Sequence, residues 1–344
     1  MNDSANLSAN EPASPPPVLA NPSIFRKIFF GADGLRAGWS LCIFITLLAG
    51  ARVGIPALIG LLHQAPRRPA TDTDLSPAGA IIGESVAFLV TLLITWIMSK
   101  IEGRPSGVYG LGGQRSLPSF FAGLAWGLAC LSLLVLLLSR TGLLVFDSRL
   151  LFGPDILLYG AIWLLGFLCV GLLEEYLTRG FLLYTLTRGL AGLYFWLFKT
   201  RHSKVLGFWT AAIGLSFLFG LGHGNNHGES PIGLLSAGLA SMVFCLSLWR
   251  TGALWWAIGF HATWDWAQSF LFGVADSGLM VQHRLFATHP VGKPILSGGA
   301  TGPEGSIFIL LILPIITAII LYTLPRTTYG DPALTYGAKN LETA

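Results

Sequence analysis

Charged residues are scarce in this sequence. Asp, Glu, Lys and Arg make up 11% of its 344 residues, whereas 53% are hydrophobic and the mean hydropathy is +0.66. A soluble domain has about a quarter charged residues, so this surface could not stay solvated in water. The scarcity of charge therefore excludes a soluble enzyme and indicates a protein that lies in a membrane.

Cysteine is also rare, and it is not arranged for disulfide or metal chemistry. All four cysteines lie in apolar stretches without a CxxC pair: Cys42, Cys130, Cys169 and Cys245. Isolated cysteines of this kind are typical of small packing residues. The formal net charge of +4 is too small to suggest a nucleic-acid partner. Membrane lipids are the partners that this composition predicts.

Long apolar runs are abundant, and most are close to the roughly 20 residues that cross a bilayer as a helix. They predict about eight spans, at about 38–62, 79–99, 119–139, 155–173, 207–222, 231–249, 252–273 and 305–324. The predicted fold class is therefore an all-α, polytopic membrane helical bundle with about eight transmembrane helices. A further apolar stretch, about 180–198, is interpreted as a continuation of the fourth helix followed by an interfacial segment.

Lys and Arg lie mainly in alternate connections between the predicted spans. The positive-inside rule therefore predicts an integral, multi-pass protein of the cell membrane with both termini in the cytoplasm. The long connections at about 63–78 and 274–304 are then expected together on the opposite side.

Ionisable side chains inside apolar spans are costly, and they mark candidate sites. The first group is Glu174-Glu175-x-x-x-Arg179. Glu175 and Arg179 are four residues apart on one helical face, in the favourable order for an ion pair. Glu174 points about 100° away and has no such partner, so it is the better candidate for a general base. The alternative is that a glutamate pair simply marks a helix end near the lipid headgroups.

Two further polar groups lie in later spans. His223 follows Phe219 in a glycine-rich stretch, and His261 and Asp265 share one face a turn apart. Each has a structural alternative: a histidine that binds a backbone carbonyl at a helix end, and a structural His–Asp hydrogen bond. Three such groups in three spans favour one buried hydrophilic site. His223 and His227 are also four apart, but the HExxH motif is absent, which disfavours a zinc pair there.

These motifs, in this order, resemble those of the CPBP intramembrane proteases, which include the type II CAAX prenyl endopeptidases. The resemblance covers about 155–275 and rests on these residues: Glu174, Glu175, Arg179, Phe219, His223, His261 and Asp265. It implies an intramembrane endopeptidase that hydrolyses a peptide bond of a membrane-associated protein or peptide. In the mechanism proposed for that family, Glu174 and His223 would activate a water molecule. His261 and residue 265 would stabilise the oxyanion, and Arg179 would hold the glutamates in place.

The resemblance leaves the cofactor open. Glu174, His223 and His261 could supply three ligands to zinc or another divalent metal and leave a position for water. A metal-free glutamate mechanism is the alternative. The third motif ends in Asp265, where asparagine is commoner in the family, and an ionised aspartate cannot donate a hydrogen bond to an oxyanion. It could instead orient His261 or support a metal from outside its coordination sphere.

Composition, the apolar runs and the resemblance together suggest a division of the chain. We expect a disordered N-terminal tail at 1–24, N-terminal transmembrane helices at 25–150, and a CPBP-like protease core at 151–275. A loop, the last transmembrane helix and a C-terminal tail follow at 276–344. Two other functions stay open: a catalytically silent membrane scaffold of the same fold, and a proton-coupled transporter. The sequence shows none of the paired halves of inverted-repeat transporters.

Simple geometry leaves the meeting of these residues unexplained. In straight, untilted helices, His223 would lie deeper in the membrane than His261, and Glu174 would lie near the inner edge. Either the fifth helix starts later, near Ala212, or its glycines break it. In both cases the fourth helix must extend past residue 180.

Overall fold

A computed structural model describes residues 24–31, 34–62, 74–113, 115–226, 228–325 and 329. The tail predicted at 1–24 lies outside the described residues except for Ile24. His227 and the predicted C-terminal tail beyond 325, apart from Tyr329, lie outside them as well.

The described residues are mostly helical. Their α-helices are α1 (Ile24–Phe29), α2 (Ala37–Leu62), α3 (Pro77–Glu102), α4 (Ser116–Arg140), α5 (Asp155–Glu175), α6 (Leu183–Phe198), α7 (Ser203–Gly222), α8 (Pro231–Thr251), α9 (Trp255–Trp266), α10 (Pro294–Ser297) and α11 (Ile309–Thr323). Two π-helical segments follow α5 and α9, at Tyr176–Leu182 and Ala267–Leu271. Short 3-10 turns lie at Ser106–Tyr109, His223–Asn225 and Pro303–Gly305. The strands are β1 (Phe30–Gly31), β2 (Gly34–Leu35), β3 (Asp74–Leu75), β4 (Leu144–Arg149), β5 (Met280–Val281) and β6 (Phe286–Pro290).

Within the described ranges, six helical segments are long and apolar enough to cross a membrane. They are Ala37–Leu58, Pro77–Glu102, Ser116–Arg140, Asp155–Phe198, Ser203–Asn225 and Pro231–Thr251. α9 and α11 take the places of the seventh and eighth predicted spans, with 12 and 15 residues, fewer than the roughly 20 that a span requires. The all-α polytopic bundle is confirmed and fits an integral membrane protein, whereas the count of eight spans is not confirmed.

The fourth predicted span continues far beyond its predicted end. α5, the first π segment and α6 form one continuous apolar helix of 44 residues, Asp155–Phe198. The prediction that the fourth helix continues past residue 180 is therefore confirmed.

One of the two alternatives required the fifth predicted helix, α7, to start later than predicted, and it does not. It begins at Ser203 rather than near Ala212, so that alternative is wrong. The helix runs through its internal glycines to Gly222, and His223 begins a 3-10 turn. The change in helix type at His223, rather than a break further up the helix, sets the position of this side chain.

α4 and α9 pack so closely that their contact requires glycine. A Cβ atom on Gly123 would lie 2.2 Å from the carbonyl oxygen of Trp256, and one on Gly259 would lie 2.2 Å from that of Phe120. Small residues let two membrane helices approach to this distance, and the resulting packing stabilises the pair. Since α9 carries the third motif, this contact fixes the position of that motif against α4.

We expect Gly123→Ala to lower the free energy of unfolding by about 1–3 kcal/mol, because a new methyl group would overlap rigid backbone atoms of α9. Thermal unfolding of the detergent-purified protein measures the change. Gly214→Ala in α7 is the matched control, since nothing lies within 4 Å of its Cβ position. Alanine there is expected to keep or raise the stability. An equal loss in both variants would contradict the close contact of α4 with α9.

The chain between α9 and α11 covers one end of the bundle, and we call residues 272–308 the cap segment. Its strand β5 pairs in parallel with β3, with Met280 opposite Asp74, and β6 pairs antiparallel with β4, with His289 opposite Val145. The described end of the first long connection, residues 74–78, therefore lies beside the second long connection. The cytoplasmic position of the termini and the domain boundaries stay predictions.

Candidate active site

A buried ion pair lies where α5 passes into its π segment. Arg179 Nη1 donates to Glu175 Oε1 at 2.5 Å, and the two residues are only 2% and 0% exposed. The Arg179 guanidinium also donates through Nε to the carbonyl of Ser241 at 3.3 Å. It lies over the rings of Phe219 and Phe244, 4.9 and 5.2 Å from their centroids. The contact that the spacing of four predicts is therefore present, and Arg179 joins it to α7 and α8.

Glu175 also binds His261, a contact that the sequence did not predict. The same carboxylate oxygen, Oε1, lies 2.9 Å from His261 Nδ1. The other ring nitrogen, Nε2, lies 3.4 Å from Asp265 Oδ2 and 3.8 Å from Glu174 Oε2. Because a carboxylate only accepts, Nδ1 donates to Glu175, and Nε2 is directed towards the other two carboxylates.

Glu174 differs sharply from its neighbour Glu175. Its side chain is 34% exposed, whereas that of Glu175 is fully buried. Within the described part of the chain, its closest ion-pair contact is the 3.8 Å approach of His261 Nε2, which is too long for a direct hydrogen bond. The structure therefore separates the two glutamates into a buried, paired carboxylate and an accessible one.

His223 lies where α7 gives way to the 3-10 turn. Its Nδ1 lies 2.8 Å from the carbonyl oxygen of Phe219. Since a carbonyl only accepts, Nδ1 carries the proton, and Nε2 of the neutral ring stays an acceptor. This bond is the structural alternative that the sequence left open, and it also fixes the tautomer that a base requires.

One cavity connects the three motifs. It has a volume of about 230 Å³, and its wall includes Glu174, His223, His261 and Asp265. Much of the remaining wall is apolar and comes from α5, α8 and α11: Phe167, Val170, Val243, Phe244, Ile309, Leu313 and Ile316. The side chains predicted to form one buried hydrophilic site thus meet in one place, with Glu175 and Arg179 supporting it.

The three residues considered as metal ligands do not form a ligand set. Among the residues that the structure describes, no group of three or more His, Cys, Asp or Glu side chains is arranged to hold a metal ion. Nδ1 of His223 and Nδ1 of His261 are engaged by Phe219 and Glu175, and this leaves Nε2 of each ring, the arrangement that histidine ligands of a metal usually have. The choice between zinc and metal-free chemistry stays a prediction.

The cavity wall contains further carboxylates that the sequence did not assign to the site, namely Glu84, Asp276 and Glu304. Glu84 lies in an apolar span, so the rule that singled out Glu174 could have found it as well. The other two lie in the cap segment. A loop gives no periodic signal, so nothing in the sequence placed them in the cavity.

The cap carboxylates are held by serines. Glu304 Oε1 accepts from the backbone N–H of Ser277 at 2.6 Å and from its hydroxyl at 2.8 Å. Asp276 Oδ2 lies 3.5 Å from Ser269 Oγ. Burial raises the pKa of Asp276 well above the ordinary aspartate value, and the negative charge of Asp265 raises that pKa further. The cap therefore contributes polar side chains to the cavity wall.

Residues 157–267 match the family model described as type II CAAX prenyl endopeptidase Rce1-like. This part of the chain is a Rce1-like domain. The prediction of the CPBP family is confirmed, and the Rce1-like domain contains every residue of the three motifs. No curated protein and no solved structure matches the chain. α3, the cap segment and α11 lie outside the Rce1-like domain but contribute residues to the cavity wall.

Proposed function

We propose that this protein is an intramembrane endopeptidase that hydrolyses a peptide bond of a membrane-associated protein or peptide. The observation that carries the proposal is that Glu174, His223, His261 and Asp265 line one cavity of a Rce1-like domain. A prenylated CAAX-type substrate is what the name of the family implies. The many apolar side chains in the cavity wall support a substrate that arrives from the membrane.

Glu174 is the group that we assign to activating water. It is the accessible carboxylate of the pair, and it has no cation within hydrogen-bond distance among the described residues. A water molecule beside it gives up a proton to the carboxylate as its oxygen attacks the carbonyl carbon of the substrate. Nε2 of His223, left as an acceptor, binds the second hydrogen of that water and orients it.

His261 is the group that we assign to the oxyanion of the tetrahedral intermediate. Glu175 holds Nδ1, so a protonated ring donates from Nε2 towards the developing negative charge. Asp265 lies 3.4 Å from that nitrogen and orients the ring. When the intermediate collapses, the C–N bond breaks and Glu174 returns its proton to the leaving amine.

Two substitutions of Asp265 are expected to differ in their effect on cleavage. Asp265→Asn keeps an oxygen acceptor for His261 and adds an N–H donor, so we expect a rate within about tenfold of the wild type. Asp265→Leu removes both groups and is expected to lower the rate by at least about a hundredfold. Cleavage rates in proteoliposomes measure the two variants. Equal rates would contradict the orienting role of this residue.

The proposed activity can be tested without a known substrate. Cells that produce the wild-type protein are compared with cells that produce Glu174→Gln at the same level, by mass spectrometry of membrane-associated peptides and protein termini. We expect a set of termini that require the wild-type protein, together with uncleaved precursors that accumulate with the variant. Identical termini in both cultures would contradict the proposal.

A further inference from the structure

The hairpin of α6 and α7 extends past the end of α3 and the start of α2. Arg188 of α6 pairs with Glu102, the last residue of α3, at 3.4 Å. A Cβ atom on Gly189 would lie 2.8 Å from Cβ of Ala37, the first residue of α2. α3 therefore ends and α2 begins beside residues 188–189. From there α6 continues to Phe198, which lies about 15 Å further along the helix axis.

The long helix that includes α6 exceeds the thickness of a bilayer. Its 44 residues span about 66 Å, roughly twice the ~30 Å of the hydrocarbon core. α7 accompanies α6 to the end of the hairpin, and Tyr194 and Thr210 join the two helices through their hydroxyls at 2.9 Å. We call residues 193–206 the tip. It lies at the end of the bundle where α2 begins and α3 ends.

The tip combines exposed apolar side chains with cations. Its exposed large apolar residues are Leu193, Phe195, Trp196, Leu197, Phe198, Val205 and Leu206. Trp196 is 67% exposed and Phe198 is 65% exposed. The exposed cations are Lys199, Arg201 and Lys204. Because 176–228 contains no Asp or Glu, the sequence around the tip supplies no anion to balance them.

We propose that the tip is a docking surface for the headgroup layer of an anionic membrane. Exposed aromatic residues in water form an unfavourable patch, whereas Trp and other amphipathic surfaces are stabilised at the headgroup boundary. The cations beside them bind the phosphates of anionic lipids. Residues 193–198 of the tip belong to the same continuous helix as Glu174 and Glu175. Docking therefore fixes the height of the cavity relative to the bilayer.

Lipid binding to the full-length protein tests this surface. Native mass spectrometry of the detergent-purified chain measures the affinity for phosphatidylglycerol, for phosphatidylcholine, and for phosphatidylglycerol in the presence of excess inorganic phosphate. We expect at least a fivefold preference for phosphatidylglycerol over phosphatidylcholine, since each cation near the surface raises the affinity for an anionic lipid about fivefold. The preference is expected to fall as the salt concentration rises. Inorganic phosphate should displace little of the lipid.

Two double variants with the same loss of charge distinguish lipid binding by the tip from a general effect of the protein's net charge. Arg201→Gln/Lys204→Gln is expected to lose at least fivefold in affinity for phosphatidylglycerol. Arg140→Gln/Lys293→Gln, at the other end of the bundle, is expected to keep the wild-type affinity. Unchanged binding by the tip variant, or an equal loss in both variants, would overturn the proposal. Displacement of the lipid by inorganic phosphate would also overturn it, because that result indicates a phosphate pocket instead of a membrane surface. Thermal unfolding confirms that each variant is folded.

Discussion

Glu174→Gln is expected to lower the rate of peptide-bond cleavage by about a hundredfold to ten-thousandfold while the protein stays folded. Glutamine has nearly the same shape as glutamate, but it cannot take a proton from water at neutral pH, and a positioned general base contributes roughly a hundredfold to ten-thousandfold. Because the Glu174 side chain is 34% exposed and its only close ionisable contact among the described residues is 3.8 Å long, its charge contributes little to stability. The cleavage rate in proteoliposomes and the thermal unfolding midpoint measure the two effects separately.

Asp155→Asn is the matched control for this prediction. Asp155 is an exposed carboxylate in the first turn of the same helix, about 28 Å from Glu174 along the helix axis. We expect this variant to cleave at the wild-type rate. Should both variants lose activity equally, the effect would belong to the charge of the helix and not to Glu174 as a base.

Arg179→Met is expected to lower the free energy of unfolding by about 3–5 kcal/mol, the typical cost of removing one partner from a buried ion pair. Arg179 is 2% exposed, and without it the carboxylate of Glu175 stays buried with His261 as its remaining partner. The packing of the guanidinium between the rings of Phe219 and Phe244 is lost as well. Thermal or denaturant unfolding in detergent measures the loss.

A double variant distinguishes the ion pair from simple loss of packing. Glu175→Gln/Arg179→Met removes both charges, so it is expected to be more stable than Arg179→Met alone. Arg140→Met, at the exposed end of α4, is the control for an arginine that forms no buried pair, and it should unfold near the wild-type midpoint. A double variant no more stable than Arg179→Met would show that the buried carboxylate is not the source of the loss.

Local spacing predicted part of the site because helix geometry is fixed by the backbone. Glu175 and Arg179 are four residues apart, so their contact follows from 3.6 residues per turn. The separation of Glu174 from Glu175 follows from the same rotation. Both features could be derived before any tertiary contact was known.

The tertiary contacts could not be derived in this way. Glu175 and His261 are 86 residues apart in sequence, and their contact depends on how α5 and α9 pack. Straight helices left the meeting of His223 with Glu174 unexplained, because the sequence did not reveal the 3-10 turn that begins at His223. The cap residues Asp276 and Glu304 reach the cavity through strand pairing and serine contacts. A periodic sequence pattern does not predict contacts of this kind.

The two π-helical segments are a further feature that the sequence could not predict. One begins at Tyr176, directly after the two glutamates, and the other at Ala267, two residues after Asp265. A π segment changes the direction of the side chains that follow, and such segments are frequent at functional sites. Both stretches have the periodicity of an ordinary α-helix. The sequence could therefore predict the motif residues but not the direction of the side chains after them.

Incorporation of oxygen-18 from water tests the central claim most directly. Membranes that contain the wild-type protein or Glu174→Gln are incubated in water labelled with oxygen-18, and the released peptides are analysed by mass spectrometry. If the cavity hydrolyses peptide bonds with a water activated by Glu174, new carboxyl termini carry the label with the wild-type protein and are absent with the variant. Labelled termini in equal amounts from both membranes, or none from the wild type, would contradict the assignment of this chain as an intramembrane endopeptidase.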